Sequence, residues 1–102
     1  MAITGKFTYK RAGEIRDVHY PKTDGEKFIL HWEGGRDPHE IINATNGWVA
    51  GYGEGADGEE HQLEETVAPP DGRTSWGGGG PDYVRVHAKD PRPQGREEGE
   101  SA

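Results

Sequence analysis

The chain has 102 residues, of which 29% are hydrophobic, 30% are charged and 17 are glycine. This length fits one domain with one modest core, and the thin apolar supply makes the isolated chain marginally stable, which favours association with copies of itself or with a partner. The absence of cysteine excludes disulfides and thiolate metal sites.

The N-terminus runs from Met1 directly into strand-like sequence, without the apolar segment of a secretory signal. No stretch approaches the roughly 20 apolar residues of a membrane span. We therefore expect a protein without a signal peptide that is made in the cytoplasm, has no membrane partner and is able to enter a larger particle.

The net charge of −7 is unevenly distributed. Residues 53–66 contain no Lys or Arg and carry six acidic side chains: Glu54, Asp57, Glu59, Glu60, Glu64 and Glu65. A solvated acidic loop explains this segment most simply. A divalent-cation site and a patch that meets a basic partner are the two alternatives.

The first 33 residues have the pattern of a three-stranded antiparallel meander. Residues 3–11 alternate between apolar and polar side chains, and a tight turn at Ala12-Gly13 leads into a return strand at residues 14–20. Ile15 is out of phase with the later apolar residues of this strand, which predicts a β-bulge near Arg16 and Asp17. The third strand places Phe28, Leu30 and Trp32 on one face and is the best candidate for a core strand.

Residues 37–52 give two conflicting signals. Asp37 and Pro38 resemble a helix start, so a single helical turn at residues 38–41 is one interpretation. Two β-rich segments flank Asn46-Gly47, the dipeptide that best favours a type I′ turn, so we predict a hairpin here.

The remaining sequence predicts two further strands, at residues 61–67 and 83–88, separated by a glycine-rich loop at residues 73–82. Residues 1–88 then form a single β-rich domain, and residues 89–102 form a flexible charged tail. The predicted fold class is all-β: a small antiparallel barrel or sandwich of six to seven short strands, with long glycine-rich loops and at most one short helical turn.

No motif indicates catalysis or a cofactor. The five histidines lack the spacing of a metal site, and neither serine has the context of a nucleophile. The glycine run at residues 77–80 lacks the Lys-Ser/Thr ending and the following helix of a phosphate-binding loop. We therefore expect a protein that is not an enzyme and has no cofactor and no metal.

Tryptophan offers the strongest signal for a binding surface, because its ring provides a large apolar area at low entropic cost. Trp76 precedes the glycine run and, of the three tryptophans, is the one least expected to be buried. The sequence thus predicts a structural or protein-interaction subunit, such as a virion component, that forms oligomers or joins a larger assembly through its loops and tail. The predicted partner-binding residues are Trp76, Gly77, Gly78, Trp48, Tyr52, Glu59 and Glu60.

Two other functions remain open on the sequence. Exposed tryptophans also suit a monomeric module that binds a carbohydrate or another small ligand. The N-terminal strands interleave the aromatic residues Phe7 and Tyr9 with Lys6, Lys10, Arg11 and Arg16, as in proteins that stack single-stranded nucleic acid on a basic sheet. The acidic net charge opposes the nucleic-acid function.

Overall fold

A computed structural model describes residues 2–30, 38–77 and 80–92 of the chain. Within these ranges the protein forms eight β-strands and no helix. The strands are β1 (Gly5–Arg11), β2 (Glu14–His19), β3 (Glu26–Ile29), β4 (Pro38–Thr45), β5 (Trp48–Glu54), β6 (Glu60–Ala68), β7 (Arg73–Gly77) and β8 (Tyr83–His87).

The strands form two antiparallel sheets of four strands each. The first sheet has the order β2-β1-β4-β7 and the second has the order β3-β8-β5-β6. The rings of His19 and Phe28 lie 4.8 Å apart, which stacks β2 over β3. At the other side the Thr74 hydroxyl donates to the Glu65 carbonyl at 3.2 Å, which places β7 beside β6. The all-β prediction is confirmed, and the architecture is a small sandwich.

The core lies between the two sheets and follows from the alternation of each strand. Phe7 and Tyr9 project inward from β1, and Val84 and Val86 project inward from β8; all four are fully buried. Ile41 of β4 and Val49 of β5 complete the centre of the same cluster. Because side chains two residues apart share a face, the intervening residues lie on the outer surfaces of the sandwich.

The hairpin of β1 and β2 matches the prediction. Ala12 and Gly13 have φ angles of 53° and 82°, as the two central residues of a type I′ turn require. Tyr9 pairs with Asp17 and Lys10 pairs with Ile15, so Arg16 is the extra residue of a β-bulge. The predicted bulge is therefore confirmed.

The predicted meander is wrong at its third strand. β3 pairs with β8 in the second sheet rather than with β2, and it is an edge strand. Phe28 leans between the sheets, with its ring 5.3 Å from that of Phe7. β3 therefore contacts β2 through Phe28, which packs between the two sheets, and not through backbone pairing. Leu30 is buried as predicted, whereas Trp32 lies outside the described residues.

The predicted hairpin at Asn46-Gly47 is also wrong. β4 belongs to the first sheet and β5 to the second, so the chain crosses between the sheets at these two residues. Neither residue has the positive φ that a type I′ turn requires. Residues 38–41 are part of β4, so the alternative of a helical turn there is wrong as well.

Asn43 explains why the chain turns a corner at this point. Its side chain is 1% exposed, and its Nδ2 donates to the carbonyl oxygens of Gly47 at 2.8 Å, Ala68 at 3.0 Å and Pro69 at 3.0 Å. Its Oδ1 accepts from the backbone N and the hydroxyl of Thr45 at 2.9 and 2.6 Å. One amide thus holds together the β4–β5 crossing and the turn that follows β6.

The loop predicted at residues 73–82 is wrong for its first half. Residues 73–77 form β7, which pairs with β4 so that Thr74 lies opposite Ile41 and Trp76 lies opposite His39. This strand raises the number in the described ranges to eight. The predicted tail is only partly described: Pro91 accepts a hydrogen bond from Gln62 at 3.2 Å, and residues 93–102 lie outside the described ranges.

We expect Asn43→Asp to lower the free energy of unfolding by about 3 kcal/mol or more, because a carboxylate cannot donate and would face three carbonyl oxygens in a buried site. Asn46→Asp is the matched control, since its side chain is exposed at the same corner and should cost less than about 1 kcal/mol. Urea unfolding of both variants measures the difference. Equal losses would mean that the amide of Asn43 has no special role.

Candidate functional site

The predicted partner-binding residues fall in two separate parts of the molecule. Trp48, Tyr52 and Glu60 come together on the outer face of the second sheet, and Glu59 directly precedes Glu60. Trp76 lies on the inner side of β7 and Gly77 ends that strand. Gly78 lies outside the described residues.

The outer face of the second sheet carries a linked cluster of rings and charges. Tyr52 and Tyr83 stack with ring centroids 6.0 Å apart, and the Tyr52 hydroxyl hydrogen-bonds to His87 Nε2 at 2.7 Å. The Tyr83 hydroxyl donates to the carboxylate of Glu60, which also accepts from Arg85 Nε at 3.1 Å. We call Tyr52, Tyr83, Glu60, Arg85 and His87 the outer cluster.

The electrostatics of the outer cluster favour its charged carboxylate. The hydrogen bond from Tyr83 and the guanidinium of Arg85 hold the pKa of Glu60 below its usual value. The same carboxylate raises the pKa of the Tyr83 hydroxyl. Lys27 adds a cation 4.1 Å from the centre of the Tyr83 ring. Tyr52 and Tyr83 are both buried, so their stacked rings cover this part of the sheet.

A pocket of about 440 Å³ borders the outer cluster at His87 and is lined by Asp24, His87, Ala88, Lys89, Asp90 and Pro91. Burial lowers the pKa of His87, and the carboxylate of Asp24, 3.9 Å from Nδ1, opposes this effect only partly. In the hydrogen bond between His87 Nε2 and the Tyr52 hydroxyl, the imidazole tautomer decides which group donates. Protonation makes both ring nitrogens donors, so it changes the hydrogen bonding beside this pocket.

Trp76 is part of the interior rather than a free arm. Its ring stacks on His39, with centroids 5.3 Å apart and planes 13° apart, and lies 6.1 Å from Tyr9. The Tyr9 hydroxyl hydrogen-bonds to His39 Nδ1 at 2.8 Å. A Cβ on Gly80 would meet Trp76 Nε1 at 2.0 Å, so glycine is needed for the chain to pass over the indole. The ring therefore contributes to packing within its own chain.

Two other predicted roles change in the light of the geometry. Phe7 and Tyr9 are fully buried, so they are not available to stack on nucleic-acid bases beside Lys6 and Lys10. The Trp48 ring is half-buried with the guanidinium of Arg92 5.4 Å from its centre. Neither arrangement offers an open aromatic platform for bases or sugars.

The largest exposed apolar side chains of the first sheet lie along β2 and its end. Ile15 is 64% exposed, Val18 is 39% exposed and Tyr20 is 60% exposed. Ile15 and Val18 stand opposite Lys10 and Thr8 of β1, on the outer face. We call Ile15, Val18 and Tyr20 the β2 surface. Adjoining it is a groove of about 550 Å³ lined by Ile3, Thr4, Gly5, Lys6, Tyr20, Pro21, Lys22 and Ala44.

Sequence reasoning missed the β2 surface because it assumed that apolar residues face the core. The bulge at Arg16 puts Ile15 and Val18 on the same face, as predicted, but His19 takes the inward position against Phe7 and Phe28. A histidine ring packs well among aromatic side chains. Because histidine is counted as polar, the alternation pattern did not predict that His19 faces the core. The position of His19 between Val18 and Tyr20 was the available signal.

Comparisons with protein-family models, with curated proteins and with solved structures gave no match for this chain. In the described part of the chain, no helix is long and apolar enough to cross a membrane. Across the same residues, no three His, Asp or Glu side chains come together as a metal site would require. The candidate sites therefore rest on the geometry of the surfaces themselves.

Acid should weaken the fold through His87. Because its pKa is lower in the folded than in the unfolded chain, the unfolded chain binds more protons as the pH falls, and stability is lost on acidification. We expect the free energy of unfolding to fall between about pH 7.5 and about pH 5, and to fall less in His87→Gln. Urea unfolding at both pH values checks this. The exposed His61→Gln is the control, and equal pH dependence in all three proteins would exclude the role of His87.

Trp76→Ala should lower the free energy of unfolding by about 3 kcal/mol, because it removes a ring stacked against the core. Trp76→Phe keeps an aromatic plane in the stack and should cost clearly less. Thermal unfolding followed by circular dichroism compares the two variants. A fully stable Trp76→Ala protein would instead favour the predicted partner-binding role of this residue.

Proposed function

We propose that this protein is a non-enzymatic structural or interaction subunit that associates with copies of itself through the β2 surface. The observation that carries the proposal is the exposure of Ile15, Val18 and Tyr20 along an edge strand. Large apolar side chains grouped on one edge of a small acidic domain are typical of an association site.

The rest of the first sheet supports this location. Towards the opposite edge, Glu40 and Arg73 form an ion pair of 3.1 Å on the outer face. The large exposed apolar side chains are thus concentrated at the β2 side of the face. The adjoining groove, between Ile3 and Tyr20, adds concave surface into which side chains of a partner can fit.

The outer edge of β2 also supports association by main-chain pairing. In the described residues, β2 pairs only with β1, so the backbone groups on its other side are directed away from the sheet. The bulge at Arg16 twists the strand, which limits unrestricted edge pairing. Side-chain contacts therefore select which partner is accepted, while the exposed backbone adds affinity.

The nature of the outer cluster also favours a non-catalytic role. Its ionisable groups are paired with one another: Glu60 with Tyr83 and Arg85, and His87 with Tyr52. A particle built from many copies, such as a virion, is a setting in which this type of subunit works.

Light scattering on a sizing column tests self-association across a range of protein concentrations. We expect the mass to rise above that of one chain, and we expect Ile15→Ser combined with Tyr20→Ser to weaken association by at least about tenfold through lost apolar contact. Ile29→Ser is the matched control, since Ile29 is 53% exposed on an edge strand of the other sheet.

A protein that stays a monomer at every concentration would overturn the proposal. An equal effect of the control and the β2 variant would place the contact elsewhere. Circular dichroism of each variant verifies that the fold is retained, since all three substituted side chains are more than half exposed.

A further inference from the structure

We infer that the β2 surface of one copy meets the acidic side of a second copy, at β6 and the β5–β6 connection, so that the subunits associate head to tail. This inference rests on the proposed function and names its partner. The observations behind it are the opposite charges of two edges and the position of these edges on opposite sides of the sandwich.

The β2 side of the protein is basic despite the acidic composition of the chain. Residues 5–22 carry five Lys or Arg against two acidic residues. Lys6, Arg16 and Lys22 are exposed, and Lys6 and Lys22 line the groove beside Tyr20. Glu14, next to Ile15, is exposed as well. The net charge around the β2 surface is thus positive, which favours a partner of negative charge.

The β6 side is acidic. Residues 53–66 carry six acidic side chains and no Lys or Arg. Glu54, Glu59 and Glu65 are exposed. Among the described residues, Glu60 pairs with Arg85 and Asp57 contacts the His61 ring. Hydrogen bonds from the backbone N of Glu59 and from the His61 ring keep the pKa of Asp57 low, so this carboxylate stays charged.

The two charged sides lie at opposite edges of the sandwich. β2 is the edge strand of the first sheet and stacks over β3, whereas β6 is the far edge strand of the second sheet and lies beside β7. A single molecule is therefore unable to bring its basic edge to its own acidic edge. A second copy, translated past the first, is able to do so.

A symmetric dimer through β2 alone is disfavoured by the same charges. In a two-fold interface the same patch meets itself, so Lys6, Arg16 and Lys22 of the two copies would approach one another. Like charges brought together at an interface are repulsive, whereas the β6 side offers the opposite sign. Half-buried Val67 of β6 packs beside Ala50 and Tyr52, on the same strand as Glu60 and Glu65.

Head-to-tail contacts leave one free basic edge and one free acidic edge on every open assembly. Such contacts close into a ring or continue as a filament, according to the rotation between neighbouring copies. Because the contact is electrostatic at its rim, association should weaken as the concentration of sodium chloride rises.

A reciprocal charge exchange tests the inference. The basic-edge variant is Lys6→Glu with Arg16→Glu, and the acidic-edge variant is Glu59→Lys with Glu65→Lys; all four side chains are exposed. We expect each variant alone to associate at least about tenfold more weakly than the wild-type protein, because one of its two edges now repels the other.

An equimolar mixture of the two variants should associate again. In the mixture, the unaltered basic edge of one variant meets the unaltered acidic edge of the other, and the two exchanged edges also have opposite charges. Light scattering measures the mass of the mixture and of each variant alone. Lys89→Glu, at an exposed position outside residues 5–22 and 53–66, is the control for added negative charge and should associate like the wild-type protein.

The outcomes separate the two proposals. A wild-type protein that associates while the acidic-edge variant also associates normally would overturn head-to-tail assembly but keep self-association through β2. A mixture that stays dissociated would overturn it as well, provided that circular dichroism shows both variants folded. A wild-type protein that remains a monomer would instead overturn the proposed function itself.

Discussion

The side-chain amide of Asn43 is the interaction on which the two-sheet arrangement most depends. It contacts three carbonyl oxygens from two separate chain segments, and its own oxygen is satisfied by Thr45. Gly47 is needed at the same corner, because a Cβ there would meet the His87 carbonyl oxygen at 2.6 Å. The crossing of the chain from one sheet to the other is thus specified by a buried polar group. Few other backbone geometries would satisfy its hydrogen bonds, and unsatisfied polar atoms are costly in a core.

The surfaces available for association follow from this exchange. Once β4 and β5 are assigned to different sheets, β2 becomes an edge of the first sheet and β6 an edge of the second. Residues 5–22, with five of the 12 Lys and Arg residues, and residues 53–66, with six of the 19 Asp and Glu residues, therefore come to lie far apart across the sandwich. Charges that are separated along the sequence are thus also separated in space. One edge of the molecule is more basic and the opposite edge is more acidic.

The sequence predicted what short-range chemistry controls. The β1–β2 hairpin, its turn at Ala12-Gly13 and its bulge at Arg16 follow from alternation and backbone preferences within about 16 residues, and the all-β class follows from the sum of such patterns. The pairing of β3 with β8 and the crossing at Asn46-Gly47 depend on partners distant in sequence, which local patterns do not encode. Of the predicted site residues, Trp48, Tyr52 and Glu60 share one face. Trp76 instead stacks on His39 within the chain. The sequence did not predict this contact, because histidine is a polar residue and was not expected in the core.

The order in which the chain visits the two sheets has a consequence for how the protein is made. β3 pairs only with β8 among the described strands, and β8 is the last of these strands in the sequence. During synthesis the second sheet therefore stays incomplete until β8 has emerged, while the β1–β2 hairpin is able to form early. Contacts that span most of the sequence are slow to form and leave strand edges uncovered in the meantime. Under the proposed self-association, these uncovered edges would meet other copies of the chain before the second sheet is complete.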